Sequence, residues 1–161
     1  SECSRLVRLS GDFEIEKGLR LFRSMKGEQF TSTSNHVLLI KTDSGYRHDS
    51  FEHEQNMLLE KEGKKVLISG CAHRGIVNIL DRAMELAGGP VDMVISGFHL
   101  SNPGEEGTES AEIINEIADY LSSFPTRYYT CHCTGLSAFQ MLKDRMGAQI
   151  SYSSAGNLLE I

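Results

Sequence analysis

Three histidines stand in matching places along the chain. In "ISGCAHRGI" (68–76), an apolar run meets a glycine, then Cys71, then His73, then Gly75 at the head of a new apolar run. In "VISGFHLSNPG" (94–104), His99 follows a similar apolar run and a glycine, and in "TCHCTG" (130–135), His132 lies between Cys131 and Cys133. Imidazole is a frequent metal ligand near neutral pH, and three of them suit zinc, iron or another divalent transition metal. A hydrolytic zinc site commonly takes three protein ligands and leaves one position for water, which the metal makes acidic enough to attack near pH 7. The thiols allow a second arrangement, a closed structural zinc site from Cys71, His73, Cys133 and His132, although the usual Cys-x-x-Cys knuckle is missing. Cys131 reads as a small packing residue.

Such chemistry needs the three histidines side by side, so the elements that carry them matter. Each follows a predicted strand: 65–69, 91–95 and 127–130. The first and third of these lead promptly into helices. "GIVNILDRAMELAG" (75–88) repeats apolar residues at helical spacing and ends at Gly88-Gly89-Pro90. "GLSAFQMLKDRMG" ends at Gly147. "TESAEIINEIADYLSSF" (108–124) predicts an amphipathic helix with Thr108 at its N-cap. Parallel neighbouring strands would bring His73, His99 and His132 to one rim, at the C-terminal strand ends where open α/β sheets bind ligands.

The first half is mostly strand. "LVRLSGDFEI" and "GLRLF" predict short strands, "HVLLIKT" (36–42) a strand opened by His36, and 43–55 a polar loop. "NMLLEKE" and "KKVLISG" predict a hairpin turning at Gly63, and "QISYS" and "NLLEI" predict final strands. The fold class is therefore α/β (or α+β), one sheet covered by helices, in a single domain over 1–161. His48 and His53 lie in the polar loop, as solvated residues or as part of a site. Gly70 and Gly75 share P-loop spacing without the following Lys-Ser/Thr, which excludes a P-loop. Gly104 and Gly107 mark a turn, and the methionines at 84, 93, 141 and 146 read as core filler.

The 161 residues carry a formal net charge of −6, which argues against nucleic-acid partners. No apolar run reaches the ~18 residues of a membrane span. There are four cysteines, Cys3, Cys71, Cys131 and Cys133; the last two flank a histidine, which is poor spacing for a disulfide, and a reducing, cytoplasmic setting with free or metal-facing thiols is expected.

In this order, "GCAHRGI" (70–76), "SGFHL" (96–100) and "HCTG" (132–135) resemble the metallo-β-lactamase-fold hydrolases. They are most similar to the subgroup related to ribofuranosylaminobenzene-phosphate dihydropterin synthase. Ser96 replaces the first glycine of that subgroup's second motif. The resemblance covers most of 50–161. It implies an αββα sandwich with a metal site at one edge of its sheets. It implies His73 as a ligand, His132 as a ligand or near-ligand, and His99 as a ligand or a contact to an anionic substrate. Cys71, Cys133, Thr134 and His53 are then expected beside the ligands or against a small-molecule substrate, phosphorylated or pterin-like. The family's His-x-His-x-Asp-His signature does not occur in these residues. At most one metal ion, weak or absent activity in the chain alone, and a homo-oligomer or partner chain covering the open half are the corresponding expectations. A non-catalytic binding module with a vestigial histidine pocket, or one half of a split enzyme, is the alternative.

Overall fold

A computed structural model describes residues 5–23, 25–101 and 108–161. The expectations for Cys3, Gly104 and Gly107 fall outside the described residues. Seven strands form one sheet: β1 (Phe13–Glu16), β2 (Leu19–Phe22), β5 (Asn56–Lys61), β6 (Lys64–Ile68), β7 (Met93–Ser96), β8 (Arg127–Thr130) and β9 (Ile150–Tyr152), side by side in that order. The remaining two, β3 (Leu39–Thr42) and β4 (Gly45–His48), make a separate antiparallel hairpin. Pairing is antiparallel from β1 through β6 and parallel from β6 through β9.

Sequence explains the change of direction. The hairpin β5–β6 turns on Glu62 and Gly63, both at positive φ (53° and 78°), the backbone of a type I′ turn that matches strand twist. After β6 the period switches to helical. Gly75, at φ 82°, opens α1 (Ile76–Ala87), which buries Ile76, Val77, Asn78, Ile79, Leu80 and Ala83. A helical crossover returns the chain parallel to the strand it left. The same device recurs with α2 (Ala111–Ser122) before β8 and α3 (Leu136–Met146) before β9.

All three helices share a core with one face of the sheet. Leu58, Leu67, Val94, Tyr128 and Ile150 form a row across five strands on that face, each 2% exposed or less. The opposite face is apolar too: Leu19, Leu21, Met57, Leu59, Ile68, Ile95 and Tyr129 share it by register with Val66 and Met93. Only Val66 and Met93 are buried there; the other seven stay half-exposed. Among the described residues, no helix is long and apolar enough to cross a membrane.

Four sequence expectations are corrected. Residues 33–37 form a 3-10 turn capped by the Ser32 hydroxyl, so His36 does not open a strand. The expected loop at 43–55 contains β4, whose four residues are all exposed and so carry no alternating pattern. Helix α2 is capped by Ser110, whose side chain accepts from the Ile113 N–H, and Thr108 instead bridges Ser101. "NLLEI" and residues 6–9 pair with no strand among the described residues.

Candidate functional site

The three histidines follow β6, β7 and β8, which are adjacent and parallel, at their C-terminal ends. His73 and His99 come together directly: their rings lie 4.0 Å apart at 54°. Phe51 stacks on His73, with centroids 4.2 Å apart and an interplanar angle of 1°. His132 begins a 3-10 turn (His132–Thr134), is exposed, and lies near enough that a positive charge on it would disfavour one on His99. His99 and His132 both adopt left-handed backbone, at φ 49° and 48°. For residues with a Cβ this conformation is uncommon and is held by its surroundings.

Those surroundings are specific. The Glu54 carboxylate accepts from two successive backbone N–H groups, His73 at 2.7 Å and Arg74 at 2.9 Å, clamping the turn after β6. Arg74 donates to the carbonyls of Ser50, Met25 and Gly27. The Asn78 side chain bonds Gln29 through both its backbone groups and reaches back to the Arg74 carbonyl. Behind His99, Thr134 accepts from the Phe98 N–H at 2.9 Å and hydrogen-bonds Thr130. Thr134 is buried and acts by fixing the two turns that follow β7 and β8. Gly97 sits between those turns because a Cβ there would come within 2.6 Å of Cys133 Sγ.

Cys133 is buried and its Sγ lies 3.5 Å from the Cys71 carbonyl oxygen. Burial, then the neighbouring Cys71, pushes the Cys133 thiol up to about 12. Protonated at neutral pH, it packs rather than attacks. His53 lies exposed at the rim, 3.6 Å from Asp49 and with its ring centroid 5.9 Å from that of Phe51.

Electrostatics keeps the central pair neutral. Burial, then the positive charge His99 would carry, brings His73 down to about 4. Burial also lowers His99, although Glu109 pulls the other way. Glu109 is held by Ser32 and Thr33, whose hydroxyls and one N–H all donate to Oε1 within 2.8 Å. Both ring nitrogens of His99 are buried without a hydrogen-bond partner among the described residues. Such orphaned groups are rare in folded chains and cost about 1–3 kcal/mol each.

This neutrality has a measurable consequence. Both imidazoles titrate lower in the folded chain than near 6.5, so protons favour the unfolded chain. Their contribution to stability is complete above pH 6.5 and is lost as pH falls towards 4. Discounted for the half-exposed ring, His73 contributes about 1–2 kcal/mol. Urea midpoints should therefore drop between about pH 7 and about pH 4.5, and drop less in His73→Gln. Equal acid losses in both proteins would contradict the assignment.

Neutral imidazoles with unpartnered nitrogens fit the nitrogen chemistry of a divalent transition metal. The fit is partial, since among the described residues no group of three His, Cys, Asp or Glu is disposed to hold an ion. Sequence reasoning found the histidines but missed Phe51, Glu54, Asn35 and Asn78. These lie outside the three motifs, and only folding brings them to His73 or to its turn.

The geometry matches a known class. No family model matches the chain. The structure superposes on a metal-dependent hydrolase of the β-lactamase superfamily, Tm1679, with TM-score 0.76 and 27% identity, covering 96% of this chain and 57% of that one. The chain is thus a distant homologue of the metallo-β-lactamase-fold, metal-dependent hydrolases and shares their fold over part of their length. It is also 27% identical over 113 residues to the 7,8-dihydropterin-6-methyl-4-(β-D-ribofuranosyl)-aminobenzene-5′-phosphate synthase of Methanocaldococcus jannaschii, covering 70% of this chain and 37% of that protein. A second, uncharacterized protein of the same organism is 30% identical over 115 residues, covering 62% of this chain and 42% of that protein. The chain therefore spans about two fifths of the length of the curated relatives it matches.

Proposed function

We propose that the chain carries one side of a metal-dependent hydrolytic site for a small phosphorylated or pterin-like molecule, with His73 and His99 as its centre. The observation that supports this most is the pair of neutral imidazoles 4.0 Å apart, one with both nitrogens buried and unpartnered. His73 and His99 would hold a divalent ion, zinc being the simplest choice, and His132 would have to turn in from the rim to add a third nitrogen. A bound ion would polarise a substrate oxygen and make a water acidic enough to attack near neutral pH. Phe51 fixes the plane of His73, and Glu54 fixes the backbone that carries it. His53, exposed at the rim, would meet an incoming anionic group. Unbridged thiols at Cys71, Cys131 and Cys133 suit a reducing compartment such as the cytoplasm.

The half-exposed apolar sheet face supports a second feature of this reading: a second copy or a partner chain covers that face and adds ligands to the site. Alone, the chain then has weak or no hydrolytic activity and works as a binding half. Zinc titration followed by calorimetry tests the proposal. We expect at most one ion per chain, with affinity falling as pH drops towards about 4, where His73 of the unbound site takes up a proton. Absence of zinc binding at neutral pH, in the chain and in any oligomer it forms, would overturn it.

A further inference from the structure

We propose that Asn35 is a positioning residue that commits His73 to one tautomer, with the proton on Nδ1 and the lone pair on Nε2. The Asn35 side chain meets His73 twice. Its Nδ2 donates to the His73 backbone carbonyl at 2.7 Å, and its Oδ1 lies 3.0 Å from His73 Nδ1. The first contact fixes the second. A carbonyl can only accept, so the amide must turn its NH2 towards the His73 oxygen. That leaves Oδ1, which also can only accept, facing the ring. A neutral imidazole satisfies it only with a hydrogen on Nδ1, and Nε2 is then the nitrogen with the lone pair.

The rest of the ring has no other way to settle the choice. Phe51 stacks on His73 and the His99 ring lies against it at a tilt; neither offers a conventional hydrogen bond to a ring nitrogen. Nε2 has no hydrogen-bond partner among the described residues. Asn35 itself is held in place by the 3-10 turn Thr33–Val37, which Glu109 pins through Ser32 and Thr33. A buried carboxylate 74 residues further along the chain thus anchors the amide that orients the histidine. A neighbour that fixes one imidazole nitrogen decides which nitrogen is offered to a ligand.

The tautomer is independent of any ligand; only its purpose, offering Nε2 to a metal, rests on the proposed function. Long-range proton–nitrogen correlation spectra of imidazole-labelled protein at about pH 7.5, where His73 is neutral, read it directly. His73→Gln identifies the signal. We expect a single species, with Nδ1 in the protonated range and Nε2 in the lone-pair range. In Asn35→Leu the signal should move to a mixture rich in the Nε2–H form, which free imidazole side chains prefer. In Asn35→Asp, which keeps an acceptor for Nδ1–H, it should stay as in the natural chain. Zinc affinity should fall roughly 10–100-fold in Asn35→Leu. An Nε2–H species or a mixture in the natural chain overturns the proposal, even if Asn35→Leu fails to fold. An unchanged tautomer in folded Asn35→Leu overturns it as well. The Nδ1–H form in a chain that binds no zinc would leave Asn35 its role and remove the metal from the reading.

Discussion

His99→Leu should give a chain at least as stable as the natural one that has lost most of its affinity for zinc. Residues that only support a fold cost stability when removed. His99 is 8% exposed, and neither ring nitrogen has a partner among the described residues. Leucine fills similar volume and buries no polar atom, so removing two orphaned nitrogens outweighs the lost contacts with His73. The left-handed backbone at φ 49° suits histidine better than leucine and takes back part of that gain. A net gain of about 1–3 kcal/mol in unfolding free energy is expected from urea melts. Zinc affinity should fall by more than the roughly 10–100-fold that loss of an outer partner costs. A marked destabilisation with zinc affinity intact would make His99 an ordinary core residue.

The opposite pattern is expected at Glu54. Its carboxylate serves two adjacent N–H groups and feels the positive charge of Arg74, and burial raises its pKa against both. Glu54→Ala leaves both donors in a half-buried turn without their acceptor, at a cost of about 2–4 kcal/mol. The amides of His73 and Arg74 should then exchange hydrogen much faster, because the turn opens locally before the whole chain unfolds. Glu54→Gln keeps one acceptor oxygen and should recover part of the loss. An unchanged melt and unchanged exchange at these two amides would show that other contacts hold the turn.

The elements that present the site were legible because they are regular. Apolar spacing marks α1, the Glu62-Gly63 turn marks the β5–β6 hairpin, and each histidine follows a short apolar strand. Once β6, β7 and β8 are parallel neighbours, their ends must share a rim. What did not show was anything set by tertiary contact. Strand β4 is polar and exposed, so its pairing with β3 leaves no periodic trace. "NLLEI" is apolar enough for a strand, yet composition cannot supply a partner edge. Thr108 has the right chemistry for a cap, but Ser110 lies next to the first helical residue and takes the role. Asn35 and Glu54 stand 38 and 19 residues before His73, and no spacing rule connects an amide or a carboxylate to a ring so far along the chain.

The central claim is that His73 and His99 form the metal-holding core of a site this chain supplies only in part. Native mass spectrometry of protein purified without chelator and incubated with zinc, beside His73→Ala treated alike, tests it most directly. One ion per natural chain and none retained by His73→Ala is the expected result. Two tightly held ions per natural chain, or the same metal content in His73→Ala, would contradict it.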